Sequence, residues 1–389
     1  MIKTSLRTAT FTDSVIRRMT RICNKFGAVN LSQGFPDYDP PKAVTERLAE
    51  VARSGPHQYA TTWGAQNTRE ALAAKLKRDS GLEVDPDLEL VITCGGTEAM
   101  MCAIMSTVNP GEKIAVFSPF YENYGADAIL CDAKPIYVPL HAPDFTFDPK
   151  ELEQAFKDGA KALILCNPSN PSGRVFSREE LMEIARIIVK YDAFVITDEV
   201  YEHIVYAPYK HTYFASLPGM RERTVMCNSL SKTYSITGWR IGYIFAPAHV
   251  IEAARKVHDF LTIGAAAPLQ EAVVAGLKLP VSYYTELLDD YTHHRDIFLK
   301  GLDDIGLSYF KPQGTYFVMV DISEFGYDSD MDFCMDLAQK VKVGAVPGSS
   351  FFKENEQRYI RFHFAKKDET LYQAVENLSH LRELIKKKK

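Results

Sequence analysis

The chain has 389 residues, 46% hydrophobic and 24% charged, with a formal net charge of −5, a size and balance that suit a globular protein with one or two large cores. The mild acidity gives no basis for binding nucleic acid or an anionic membrane surface, and no apolar run is long enough to span a bilayer. The seven cysteines are scattered and never spaced C-x-x-C, a pattern of reduced thiols rather than of a disulfide framework or a zinc site. The opening MIKTSLRTATFTDS carries no apolar leader, so a cytoplasmic protein is expected. The closing KKKK (386–389) reads as a solvated charge run.

In chain order, residues 1–45 are rich in turn signals, as in KFGAVNLSQGFPDYDPP, and do not begin a sheet pattern. From about residue 88, strand-like and helix-like runs alternate. LELVIT (88–93) leads through CGG into the apolar helix TEAMMCAIMSTV (97–108). KIAVFS, KPIYVPL, ALILCN (162–167), FVITDE (194–199), TVMCNS (224–229) and GYIFAP (242–247) follow as strands. The helical spacing of REELMEIARIIVKY (178–191) lies between two of them. Seven strands alternating with helices predict an α/β fold, a mostly parallel seven-stranded sheet in an α/β/α sandwich.

After about 285 the texture changes to a long polar helix, YFVMVDI (316–322), a helix near 331–341, YIRFHFA (359–365) and a last helix. These features predict a large domain over 46–284. A smaller α+β domain would be built from 1–45 and 285–389.

In an open α/β sheet, ligands bind beyond the carboxyl ends of the strands, and the polar residues of this chain gather there. Gly95, Gly96 and Thr97 follow LELVITC; NPSNPSG (167–173) follows ALILC; Asp198 closes FVITD with Tyr201 three residues on; Ser229, Ser231 and Lys232 follow TVMCN. Gly95-Gly96 before a helix either seats a phosphate on backbone amides or only turns the chain. NPSNPSG is a rigid turn or a source of amide hydrogen bonds. FVITDE resembles a Walker B strand, but no G-x-x-x-x-G-K-[ST] stands upstream, so a P-loop enzyme is excluded. No H-E-x-x-H metal motif occurs either. Lys232, among hydroxyls and eight residues before the forked donor Arg240, is a solvated loop lysine or a Schiff-base nucleophile. In YIRFHF, strand alternation puts Arg361 and His363 opposite Ile360, Phe362 and Phe364, and a carboxylate clamp is the functional reading of Arg361.

Together, S-L-S-K-x-x-x-x-x-G-W-R-I-G-Y, N-P-x-N-P-x-G and T-D-E-V-Y resemble the class I, fold-type I pyridoxal-phosphate aminotransferases. The likeness extends through LSQGFPDYDPP (31–41), QYATTWG (58–64), CGGTEAM and SPFYENY (118–124) to IRFHFA. EVYEHI and RKVHDFLT (255–262) are similar to the kynurenine, glutamine and methionine branch. The resemblance implies pyridoxal phosphate bound covalently to Lys232, which later moves protons. It implies Asp198 on the ring nitrogen, Asn170 and Tyr201 on the phenolic oxygen, and Tyr121 stacked on the ring. Gly96, Thr97, the Glu98 amide, Ser229 and Arg240 would hold the phosphate, joined by Tyr59 from a neighbouring subunit, hence a homodimer. Arg361 would bind the substrate carboxylate beside Gly34 and Asn170, and the reaction would carry an amino group from an L-amino acid to a 2-oxo acid such as 2-oxoglutarate. No metal is implied.

Two segments depart from the pattern. Ile263-Gly264 stands where kynurenine- and methionine-type relatives carry an aromatic and a polar residue, and Phe352 stands where glycine is common. Phe26, Tyr38, Trp63 and Tyr316 are pocket aromatics or core. Two rival functions share the fold: a cysteine-conjugate β-lyase with the same cofactor, and a non-catalytic regulatory or partner-binding protein. The second predicts a missing site residue, and none is missing.

Overall fold

Runs of aliphatic and β-branched residues, closed off by glycine, asparagine and proline, build one large sheet. Its spatial order is Leu90–Thr93, Gly242–Phe245, Thr224–Ser229, Phe194–Asp198, Ala160–Cys166, Lys113–Ser118, Lys134–His141 and Thr146–Phe147. The computed structural model describes residues 5–9, 11 and 13–386; the lysines 387–389 and parts of the opening segment lie outside the described residues. All seven strands read from the sequence are present. The eighth, Thr146–Phe147, is a two-residue addition antiparallel to Lys134–His141, too short to leave a sequence pattern.

Gly242–Phe245 pairs antiparallel with both neighbours, while the pairs from Thr224–Ser229 across to Lys134–His141 are parallel. Helices cover both faces, which is why the central strands are apolar throughout. Leu163, Leu165 and Val195 pack on one side with Leu181, Ile184 and Ile188 of the helix Arg178–Lys190. Ile164, Ile196 and Val225 pack on the other with Ala99, Ala103 and Ile251. Arg178–Lys190 starts in a capping box, with Ser177 Oγ accepting from Glu180 N and the Glu180 carboxylate from Ser177 N.

A second sheet is antiparallel, in the order Tyr309–Phe310, Phe317–Asp321, Tyr359–His363, Val346–Pro347. The helices Val281–Asp304 and Asp368–Ser379 contribute to its core through Phe298, Leu302, Leu371 and Leu378. Near the chain's start Val29–Asn30 pairs in parallel with Val343–Gly344.

A buried charged network fixes the loop that leaves Asp198. Lys75, in the helix Gln66–Ser80, pairs with Glu202 at 2.7 Å and Asp79 at 3.3 Å, and the Tyr213 hydroxyl donates to Glu202 at 2.7 Å. Burial is the largest single influence and would raise the Glu202 pKa; the charge and hydrogen bond of Lys75, with His203 and the Tyr213 hydroxyl, together outweigh it and hold the carboxyl down at about 2. Tyr201 is on this pinned loop.

Candidate active site

The ends of the parallel strands meet in register. Cys166 pairs with Asp198, Asp198 with Cys227, and both Ser229 and Thr93 with Gly242. The polar residues that follow these ends therefore lie along one edge of the sheet.

At that edge the helix Gly96–Thr107 begins after Gly95, whose φ of 84° suits only glycine. A Cβ on Gly95 would lie 2.5 Å from Arg240 Nη2, so the guanidinium covers this turn. Arg240 is exposed, has a φ of 56°, and donates through Nη1 to Thr237 O at 3.0 Å. Ser229 Oγ donates to Ile241 O at 3.2 Å and accepts from Ser231 N at 3.1 Å. Ser231 Oγ is buried without a partner. The helix amides, the remaining N–H groups of the guanidinium and the unpartnered Ser231 hydroxyl form a set of donors with spare capacity, and a phosphate fits it. Glu98 leaves only its amide to this seat. Its carboxylate turns back to accept from Cys94 N at 2.5 Å, His258 Nδ1 at 2.8 Å and Thr262 Oγ1 at 2.7 Å.

Asp198 is half-buried. Its Oδ2 accepts from the Tyr124 hydroxyl at 2.5 Å and its Oδ1 from Val200 N at 3.3 Å. Burial raises its pKa, opposed by the Tyr124 and Val200 hydrogen bonds and by the charge on Lys232. A fixed carboxylate in such a place suits a cationic ring nitrogen. The Tyr121 ring meets Tyr124 edge-on at 5.8 Å. Burial lifts the Tyr121 hydroxyl pKa to about 12.

Lys232 Nζ donates to Gly34 O at 3.4 Å, with the ring centroids of Tyr316 and Tyr201 at 5.8 and 6.0 Å. Arg361, 1% exposed, sits between the rings of Phe317 (4.1 Å) and Phe351 (4.5 Å). It donates to Asn170 Oδ1 at 2.7 Å and Ser32 O at 3.1 Å, and its Nε is unpartnered. Burial pushes its pKa down to about 10. Both of its acceptors are neutral, so the buried cation has donor capacity left for an anion. Asn170, 7% exposed, thus touches the arginine, whereas Asn167 spends its Oδ1 on Phe176 N and shapes the loop.

Residues 27–378 match the family model for aminotransferases of class I and II. The chain belongs to that family. It is 36% identical over 386 residues to a probable N-succinyldiaminopimelate aminotransferase of Mycobacterium tuberculosis, covering 96% of this chain and 97% of that one. It is 36% identical to the methionine aminotransferase of Escherichia coli, covering 95% and 96%. The solved structure of the N-succinyldiaminopimelate aminotransferase superposes with a TM-score of 0.94 at 35% identity, over 98% of this chain and 100% of that one. This aminotransferase is therefore a pyridoxal-phosphate-dependent transaminase acting between amino acids and 2-oxo acids, with a fold-type I architecture.

Other residues of the aminotransferase stand where the sequence left them open. Tyr59 is 82% exposed. Ile263 is exposed and ends the helix Ala248–Thr262 at a φ of 68°, unusual for a β-branched residue. Phe352 stacks on Tyr359 at 6.1 Å. Trp63 packs beneath Arg255 and Phe26 near Lys342, while Tyr38 meets Tyr291. One contributor escaped the sequence reading and one was left undecided by it. Tyr124 lies three residues after Tyr121 in YENY, and only its bond to Asp198 tells the two tyrosines apart. Tyr316, left open as core, bonds Gly34 through its hydroxyl.

Proposed function

We propose that Lys232, Asp198, Asn170, Tyr201 and Arg361 carry the transamination, and that donors with apolar or aromatic side chains, methionine among them, are preferred. The carrying observation is Arg361: a buried guanidinium whose acceptors are both neutral, aimed where a substrate carboxylate would complete it. When bound, pyridoxal phosphate supplies an aldehyde for the substrate amine and a cationic ring that accepts the electrons left at Cα. Asp198, fixed by Tyr124 and Val200, keeps a proton on the ring nitrogen. Arg361 and Asn170 orient the substrate carboxylate and so fix the direction of the Cα–H bond. Lys232 Nζ would take the Cα proton and return it two bonds along, on the carbon beyond the amino nitrogen, a task for a positioned neutral amine. Ser229, Ser231, Arg240 and the amides of Gly96, Thr97 and Glu98 hold the phosphate.

Preference for an apolar donor is supported by Ile16, Val346 and Phe351, which pack with Tyr121 and Phe352, Phe351 lying against Arg361. The relatives are named for N-succinyldiaminopimelate, methionine and kynurenine, a spread that defines the panel of donors to try.

The reading also includes a cytoplasmic homodimer, in which 46–284 form the large domain and 1–45 with 285–389 the small one. Among the described residues no helix is long and apolar enough to cross a membrane. Exposed apolar side chains on adjoining segments support the dimer: Tyr59 at 82%, Phe260 at 92% and Ile263 at 53% exposure. Their segments adjoin, since His258 Nε2 bonds Thr62 O at 2.9 Å. Exposed apolar surface of this kind marks a contact region, and Tyr59 would reach the phosphate of the other subunit.

The test is a half-reaction. Purified holoenzyme is mixed with methionine, kynurenine, glutamine, phenylalanine or N-succinyldiaminopimelate, and the cofactor absorbance is followed. Methionine and phenylalanine should convert the spectrum, and Lys232→Ala should abolish the conversion. Silence to every donor, or conversion by Lys232→Ala at the normal rate, refutes the assignment. Pyruvate released from a cysteine conjugate without an acceptor would point to the lyase.

A further inference from the structure

Tyr316 stands just before the strand Phe317–Asp321 and is fully buried. Its ring meets Tyr201 perpendicularly at 5.2 Å and stacks on Tyr291 at 5.6 Å. A phenylalanine would satisfy that packing. The hydroxyl is the additional feature: it donates to Gly34 O at 3.0 Å, the oxygen that also accepts from Lys232 Nζ at 3.4 Å. A carbonyl oxygen has two lone pairs, so both donors fit at once.

The backbone that carries this carbonyl is hemmed in as well. A Cβ on Gly34 would fall 2.6 Å from Phe317 Cε1 and 3.1 Å from Tyr316 Cε2, so the backbone is pressed against the two aromatics. The neighbouring chain is fixed as well: Arg361 Nη2 holds Ser32 O, and Phe35 N donates to Gln33 O at 2.9 Å. The ring and the hydroxyl of Tyr316 therefore orient one oxygen, and that oxygen faces the lysine amine.

We infer that Tyr316 is a positioning residue: its hydroxyl fixes the Gly34 carbonyl as the resting acceptor for the Lys232 amine between proton transfers. The inference rests on the role given to Lys232 above. When the amine is free, the oriented carbonyl confines it to one corner, bounded by the faces of Tyr201 and Tyr316. A proton is transferred only from a narrow range of distances and angles, so a confined amine spends more time in productive geometry. Without the hydroxyl the carbonyl loses one of its two donors and the amine samples more positions. Substrate affinity is set elsewhere, by Arg361 and Asn170, and is not predicted to change.

Tyr316→Phe tests this in the holoenzyme and in the cofactor-free protein. Single-turnover conversion of the donor should slow about five- to tenfold, the loss of one positioning hydrogen bond. The deuterium isotope effect with an α-deuterated donor should rise, since proton transfer becomes more fully limiting, while the donor's dissociation constant stays within about twofold. In the cofactor-free protein, amide exchange across residues 31–38 should quicken. An unchanged rate and isotope effect in the folded variant overturns the inference. So does a lower melting temperature and weaker donor binding with no change in the isotope effect, the mark of a purely structural tyrosine. Should the phenylalanine variant not fold, trifluorotyrosine at 316 keeps the shape while altering the hydroxyl, and an unaltered isotope effect there also overturns it. Failure of the unmodified enzyme to react with any donor strikes at the role of Lys232 instead, so the two failures are distinguishable.

Discussion

Asp127 is a carboxyl with little to hold it. It lies in the helix Asn123–Leu130, is 4% exposed, and its Oδ2 has no partner; burial raises its pKa to about 7. In the unfolded chain the group titrates near ~3.9. Between those values the folded protein binds a proton that the unfolded chain has lost, so stability falls as pH rises through the window. The slope is about 1.4 kcal/mol per pH unit, and it flattens above pH ~7. Asp127→Asn should therefore raise the melting temperature at pH 8 and change it little at pH 4. Thermal melts at the two pH values check this; an equal shift at both contradicts it. Positions at or just past a strand end, such as Asp198 and Lys232, could be picked out from the sequence as candidates; the roles given to them are proposals. Asp127 and Tyr124 could not be, because nothing in NYGADAIL separates a buried acid or a hydrogen-bonding hydroxyl from an ordinary helix position.

At the scale of elements, the central strands were readable because strands covered on both faces are unbroken apolar runs. The helix Ala267–Leu277 is apolar around much of its circumference and gives no clear period, so it went unread. The long polar helix starts at Val281, earlier than the sequence texture suggested, because Pro280 caps it. The helix Ala248–Thr262 reaches both the proposed phosphate seat and the surface. His258 bonds Glu98 on one nitrogen and Thr62 on the other, while Phe260 projects into solvent two residues on. In the proposed homodimer, Phe260→Glu should raise the dissociation constant by roughly a hundredfold or more, as loss of a central aromatic contact does. Sedimentation velocity over a dilution series reads this directly, and an unaltered association would remove Phe260 from the interface.

Across the whole molecule, the site draws on both sheets. The large sheet supplies Asp198, Ser229 and the turn at Gly95, and the small one supplies Arg361 and, beside it, Tyr316; the segment around Gly34 lies between them. The sequence motifs made this convergence readable from one chain. The identity of the donor was not readable, because an apolar residue such as Phe351 looks like any core until it is seen beside Arg361. The claim on which all else depends is that Lys232 holds the cofactor. Borohydride reduction of the holoenzyme followed by peptide mass mapping tests it most directly. The account predicts a reduced pyridoxyl-phosphate adduct on the peptide containing Lys232 and none in Lys232→Ala. An adduct on another lysine, or no adduct in a protein that retains the cofactor, would contradict it.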